Sequence, residues 1–170
     1  MGSALTEEEQ HLQSMTPQMF AGSALFARTF DEGMSLVQES ATYLEGRGQL
    51  ESRDLPRKAA TLYAGESLRL TTRLMQAASW LLVQRAVHEG DMTAEDASSD
   101  RYRLGSKDIC LGSEKDGVDS LPPKFRDLLS KSDSLYRRVA RLEDVLLKAH
   151  GTQGARAQLD RLEQAFGEQA

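Results

Sequence analysis

The segment from Leu74 to Val87 constrains the fold of this chain most, because as a helix it is apolar around nearly its whole circumference. The helix around it carries one apolar stripe at helical spacing, formed by Leu55, Ala59, Leu62, Tyr63, Leu70, Leu74, Ala77 and Leu81. A second apolar set lies roughly opposite, since a spacing of seven residues returns to nearly the same side: Leu68, Met75, Leu82 and Ala86. A helix with two apolar faces must be covered either by several neighbours or by a second copy of the chain. We predict that the second set is the interface of an isologous homodimer.

This segment does not predict a membrane span. Arg69, Arg73 and Arg85 interrupt the apolar run and leave at most Leu74 to Gln84 uncharged. A bilayer requires about 20 consecutive apolar residues. We therefore expect no membrane-spanning helix.

The first of three long predicted helices runs from about Pro17 to Leu44 and ends at Gly46 and Gly48, where residues that tolerate positive φ suit a helix C-terminus. Its apolar stripe recurs at steps of three and four residues: Phe26, Phe30, Met34, Val37, Ala41 and Leu44.

The second predicted helix has Ser52 or Asp54 as its N-cap and Pro56 in its first turn, and it runs to His88 before Gly90. The last runs from about residue 121 to 149 and has a coiled-coil-like apolar repeat: Leu121, Phe125, Leu128, Ser132, Leu135, Val139, Leu142 and Leu146.

These helices predict an all-α protein, an antiparallel three-helix bundle over residues 17–149. Aromatic residues make up only 6% of the chain and there are four prolines, which favours helices over a β-sandwich or barrel. Residues 1–16 are polar and aperiodic, so we predict a disordered N-terminal arm. Residues 91–120 contain eight acidic and four basic residues and several glycines, which predicts a long mobile connection. Residues 150–170 follow as a flexible tail.

Charge and cysteine content exclude several classes of protein. The net charge of -5 weighs against a general nucleic-acid or anionic-membrane binder, which needs Lys and Arg to replace counterions. A single cysteine, Cys110, excludes an internal disulfide and a multi-cysteine zinc site. The first thirty residues lack a basic region followed by an apolar run, so no secretory signal is predicted and the expected location is cytoplasmic.

No enzyme motif is present. The sequence has no phosphate-binding glycine loop, no serine nucleophile elbow and no Ser-x-x-Lys pair. The histidines His11, His88 and His150 lack the spacing of metal ligands, and Cys110 has no base near it in sequence. We therefore predict no catalytic residue, no metal and no cofactor.

Glu66 is the most informative polar residue, because it falls within the main apolar stripe, close to Arg69 and Arg73. We interpret these three residues as a buried polar cluster that fixes helix register. The alternative is a pocket in which Glu66 binds a small ligand or acts as a general acid, with the arginines beside it.

A basic face on the last helix, with Arg126, Arg137 and Arg141, is a candidate docking surface for an acidic partner, although a solvated face is the simpler interpretation. Leu159, Leu162 and Phe166 recur at helical spacing in the tail and are further candidates for partner binding. Arg137, Arg138 and Arg141 could instead contact DNA, in which case binding would depend steeply on salt.

The run from Glu66 to Thr93 resembles the family of the regulator of CtrA degradation, RcdA. Phe30 to Met34, Tyr43-Leu44 and Ser134 to Leu142 are similar to that family too, and the resemblance covers most of residues 20–147. It implies a small dimeric three-helix-bundle protein without enzyme activity, an adaptor for the ClpXP protease in the alphaproteobacterial cell cycle. The implied partners are a response-regulator-like protein that primes the protease, a cyclic-di-GMP-binding adaptor, and the regulatory proteins delivered for degradation.

Overall fold

The computed structural model describes residues 16–113 and 115–167, and this part of the chain is helical without a β-strand. It contains seven α-helices: α1 (Pro17–Ala21), α2 (Ala24–Glu45), α3 (Arg47–Arg53), α4 (Arg57–Glu89), α5 (Ala94–Ala97), α6 (Lys107–Cys110) and α7 (Pro123–Gly167). The three long helices, α2, α4 and α7, pack against one another in all three pairs. The prediction of an all-α bundle is confirmed. The predicted arm, residues 1–16, lies almost entirely outside the described residues.

The direction of each long helix follows from the side chains that meet across the bundle. On α2, Gly33 lies against Leu81 of α4, while Tyr43 lies near Tyr63, so these two helices run antiparallel. The ring of Phe125 on α7 packs against that of Tyr63 at 4.4 Å between centroids, with the two ring planes tilted by 38°. Farther along α4, Arg73 bonds Asp133 of α7.

Helices α4 and α7 therefore run parallel, and α2 is antiparallel to both. The antiparallel arrangement expected from sequence is wrong for the α4–α7 pair. Its cause is the connection over residues 90–122, which returns along the bundle before α7 begins. A parallel pair needs such a long return, whereas antiparallel neighbours need only a short turn.

The first predicted helix is divided at Gly22 and Ser23, because the Ser23 hydroxyl accepts a hydrogen bond from the Phe26 N–H (3.2 Å) and caps α2. The buried side of α2 also differs from the predicted stripe. Phe26 is buried, but Phe30 is only half-buried and Ala41 is exposed, and the other buried positions are Thr29, Gly33, Leu36, Ser40 and Tyr43.

Small residues explain this rotation of α2. A Cβ atom at Gly33 would lie 2.8 Å from Leu81 Cδ1, so glycine is needed for α2 to approach α4 this closely. Close approach of the backbones places Thr29, Gly33 and Ser40 at the contact, and the larger apolar side chains flank it.

The structure differs from the sequence prediction at the start of α4 and agrees with it at the end. Its N-cap position is Pro56, with no side-chain cap, instead of Ser52 or Asp54, because residues 47–53 form their own short helix, α3. At the other end Gly90 adopts φ 81°, and its N–H bonds the carbonyl of Val87. This left-handed conformation ends α4 where the glycine predicts.

The acidic connection packs on the bundle, in contrast to the mobile segment expected from its glycines and charges. Leu104, Cys110 and Val118 are buried in the core. The Leu104 N–H donates to Glu143 (2.7 Å), and the Tyr136 hydroxyl donates to the Gly105 carbonyl (2.9 Å). Side chains of the long helices thus satisfy backbone groups that a surface loop would leave to water.

The predicted boundary after Ala149 is not a break in the helix. Helix α7 continues through Gly151 and Gly154 to Gly167. Its residues 151–161 are all exposed, so this extension has no packed face against the rest of the described chain. That it is flexible remains a prediction, since a helix without tertiary packing is only marginally stable in water.

Candidate functional site

Over its central turns helix α4 buries its charged residues and exposes three large apolar side chains. Between Lys58 and Arg85 its charged residues are Glu66, Arg69 and Arg73, and all three are buried. The opposite side of the helix carries no charge over this length. We call that side the outer face of α4, and it comprises Thr61, Ala64, Leu68, Thr71, Met75, Ser79, Leu82 and Ala86.

The outer face contains the predicted dimer residues. Leu68, Met75 and Leu82 are 67%, 65% and 52% exposed, and Ala86 is half-buried. The eight residues follow one another at steps of three or four, so they form a continuous stripe about 37 Å long at 1.5 Å per residue. An uncharged stripe of this length with large apolar side chains is typical of a surface that binds another protein.

The buried charges hold the connection against the bundle. The Arg69 guanidinium donates to the carbonyls of Ile109 and Ser113, each at 3.0 Å, and to that of Gly112. Glu66 Oε1 lies 3.5 Å from Arg69 Nη1. Arg69 therefore closes a turn of the connection by bonding carbonyls within and just after the short helix α6.

Arg73 performs the same task one turn farther along α4. Its Nε donates to the Cys110 carbonyl (2.9 Å) and its Nη2 to Asp133 Oδ1 (2.7 Å). Asp133 also accepts a bond from Arg137 Nε (2.8 Å), so one carboxylate joins a buried and an exposed guanidinium. Burial lowers the pKa of Arg73 from its usual value, and Asp133 opposes that shift by stabilising the charged form.

A cavity of about 450 Å³ opens where the connection, α4 and α7 meet. The predicted cluster of Glu66, Arg69 and Arg73 lines it. Arg126 and Arg137, which the sequence analysis assigned to a separate docking surface, line the same cavity. Sequence spacing alone did not bring these two groups together, because they lie on different helices and the contact depends on the parallel packing of α4 and α7.

Comparison with known proteins identifies the family. A family model described as a protein of unknown function, DUF1465, matches residues 17–166. A crystal structure described as RcdA from Caulobacter crescentus CB15 is 50% identical in sequence, with a TM-score of 0.62, and the match covers 76% of this chain and 96% of that one. The chain belongs to the RcdA-like family. Comparison with curated proteins found no match, and neither description above names a catalytic activity.

The other candidate residues of this RcdA-like chain lie outside the cavity. Arg141 is exposed on the same side of α7 but does not line it. Leu159 is 59% exposed on the α7 extension. Leu162 and Phe166 belong to the same helix, and their side chains lie outside the described part of the structure.

Asp133 is a site residue that the sequence analysis of this RcdA-like chain missed. Its available signal was the i,i+4 spacing to Arg137, which is too common on helix surfaces to single out one carboxylate. Asp133 lines the same cavity as Glu66, from α7, so the cavity contains a second carboxylate close to the predicted cluster.

Metal and thiol chemistry find little support in the described residues. No group of three or more His, Cys, Asp or Glu side chains is arranged there to bind a metal ion. Cys110 is fully buried, and burial raises the pKa of its thiol, which disfavours the reactive thiolate.

Among the described helices, none is long and apolar enough to cross a bilayer.

Proposed function

We propose that this chain is a non-enzymatic, cytoplasmic adaptor that helps deliver cell-cycle regulatory proteins to the ClpXP protease for degradation. The observation that carries the proposal is the 50% identity to a protein described as RcdA over most of both chains. From the resemblance to the RcdA family we further propose as partners a response-regulator-like protein that primes the protease, a cyclic-di-GMP-binding adaptor, and the degradation substrates. An adaptor raises the local concentration of substrate near the protease, so weak contacts suffice when two can form at once.

A second copy of this chain is the proposed occupant of the outer face of α4. Leu68, Met75 and Leu82 are more than half exposed on a helix that places its charges inward. In an isologous dimer the same stripe faces itself across a two-fold axis, so an uncharged surface meets no like charge. Burying these side chains would contribute about 25 cal/mol for each Å² of apolar surface removed from water.

The proposed partner-binding surfaces are the basic face of α7 and its extension. Arg126, Arg137 and Arg141 would contact acidic groups of a partner. Leu159, Leu162 and Phe166 would provide apolar contacts on the extension. The two surfaces are separated along one helix, which suits simultaneous binding of two proteins.

Reconstituted proteolysis tests the adaptor function. The assay contains ClpXP, the priming protein and a labelled substrate, with and without the full chain, and it follows loss of substrate over time. We expect faster loss in the presence of the chain for at least one regulatory substrate. Unchanged rates for several substrates with all priming components present would refute the proposal.

The cavity supports a second function, binding of a ligand next to Glu66, Arg69 and Arg73. The arginines use most of their donors on carbonyls of the connection, which argues for a structural role of the cluster itself. Glu66→Gln separates the two: a large loss of thermal stability supports the structural role, and loss of ligand binding at an unchanged melting temperature supports the pocket.

A further inference from the structure

We propose that the cavity between the connection, α4 and α7 binds the carboxylate end of a peptide, with Arg126 and Arg137 as the groups that bond the carboxylate. This inference rests on the proposed function for the source of the peptide, a partner of the adaptor. The cavity volume of about 450 Å³ is in the usual range for small-ligand pockets and accommodates more than a single ion.

The charged residues that line the cavity favour a ligand with a single negative charge. Its lining contains four guanidinium groups, those of Arg69, Arg73, Arg126 and Arg137, and three carboxylates, those of Glu66, Asp119 and Asp133. The cationic groups exceed the anionic ones by one. A carboxylate matches that excess, whereas a phosphate dianion would bring a second charge next to Glu66 and Asp133.

The arginines differ in how many of their donors are already used. Arg69 bonds three carbonyls, and Arg73 bonds carbonyls and Asp133. Among the described residues Arg126 has one ion-pair partner, Asp119, at 3.6 Å from Nη1 to Oδ1, and its buried Nε has no hydrogen-bond partner there. Arg137 uses Nε on Asp133 and makes one long contact of 3.5 Å to the Leu111 carbonyl. Arg126 and Arg137 therefore have donors left for a ligand.

The remaining lining fits a peptide end better than a free ion. Glu66 is 5% exposed, and its nearest cationic group among the described residues is Arg69 at 3.5 Å, so its carboxylate can accept a further hydrogen bond. Val118 and Leu129 supply apolar walls. A chain terminus offers a carboxylate, an adjacent amide N–H and a side chain within one residue, which matches guanidinium donors, an acceptor and apolar surface in one cavity.

The test is fluorescence anisotropy with the full chain and a fluorescein-labelled pentapeptide that ends in valine with a free carboxylate. The same peptide with a C-terminal amide, and an amidated peptide with a glutamate side chain, distinguish a main-chain carboxylate from an acidic side chain. We expect the free acid to bind at least about tenfold more tightly than the neutral amide, as loss of a charge-assisted contact predicts. Inorganic phosphate at equal ionic strength should compete less well than acetate.

The matched variants are Arg126→Gln with Arg137→Gln, and Lys148→Gln as the control, at an exposed cation on the same helix outside the cavity. We expect the double variant to weaken binding at least about tenfold and the control to change it less than about twofold. If the double variant unfolds, Arg126→Gln alone is used, because that side chain makes no hydrogen bond to a described residue.

Equal binding of the acid and the neutral amide, absence of binding at millimolar peptide, or an equal effect of Lys148→Gln would each overturn the inference. Failure of the proposed function is distinguishable. Normal substrate delivery without peptide binding would retain the adaptor function and refute the peptide site. Peptide binding without any effect on proteolysis would retain the peptide site and refute the adaptor function.

Discussion

Replacing Arg73 with methionine should destabilise the bundle strongly, because this one side chain joins the connection, α4 and α7. Methionine keeps most of the apolar length of the side chain and removes the guanidinium. Two short hydrogen bonds are lost, to the Cys110 carbonyl (2.9 Å) and to Asp133 Oδ1 (2.7 Å). Arg73 is 4% exposed, so water does not replace the lost donor at the carbonyl.

The size of the loss in unfolding free energy follows from the two acceptors that lose a donor. A buried carbonyl left without a donor costs about 1–3 kcal/mol. Asp133 is less affected, because its side chain is 32% exposed and it keeps the bond from Arg137 Nε. Its share is therefore about 1 kcal/mol, below the roughly 3–5 kcal/mol typical of a fully buried pair. We expect the free energy of unfolding to fall by about 3 kcal/mol, which lowers the melting temperature by about 6–12 °C for a chain of this size.

Urea unfolding followed by circular dichroism measures this change, at one fixed protein concentration since association would add to stability. Arg85→Met is the matched control, because Arg85 lies on the same helix and its ion pair with Glu89 is exposed on both sides. We expect the control to lose less than about 1 kcal/mol. Equal losses for the two variants would refute the assignment of Arg73 as the residue that holds the connection.

Three further outcomes follow from the structure. Leu82→Glu should convert the proposed dimer to a monomer in analytical ultracentrifugation, while Leu50→Glu, at a leucine on α3 that is somewhat more exposed (63% against 52%), should not. A wild-type monomer at micromolar concentration would contradict the dimer. Cys110 should react with a thiol reagent at least about tenfold more slowly in the folded protein than in urea, since its thiol is buried and its pKa is raised, and equal rates would show that the connection opens freely. The hydrogen bond from the Tyr43 hydroxyl lowers the pKa of Glu51 below its ordinary 4.5. The stability that ionised Glu51 contributes is therefore complete above pH 4.5 and is lost as the pH falls through the lower pKa of the folded state. Acid titration should bring the wild type and Glu51→Gln together in stability, and a constant difference between them would exclude this linkage.

Apolar periodicity predicted the helical class and the approximate extent of the long helices, because burial of a stripe is a local property of sequence. The second predicted helix ends at Gly90 as α4 does, whereas its predicted N-cap at Ser52 or Asp54 was wrong, since Pro56 takes that position. Apolar periodicity placed the buried side of α2 imperfectly, because it assigned Phe30 and Met34 to that side and left out Gly33. Close helix contact depends on how little a side chain protrudes, and a scale of hydrophobicity gives no weight to that.

The connection was the least predictable part of the fold. Its composition resembles that of a mobile loop, and nothing local in it indicates that carbonyls near Cys110 and Gly112 are bound by arginines some forty residues earlier. Those contacts fix the parallel arrangement of α4 and α7, which in turn forms the cavity. The burial of Glu66, Arg69 and Arg73 was predictable from their position in the stripe, but their partners were not.

The inward charges and the uncharged outer face of α4 are two consequences of one arrangement. Arg69 and Arg73 must point toward the connection to satisfy its carbonyls, and this leaves Leu68, Met75 and Leu82 on the opposite side. A change that turned the arginines outward would release the connection and place charge at the proposed dimer contact. The hold on the connection and the uncharged surface offered to the proposed second copy therefore both depend on the inward orientation of Arg69 and Arg73.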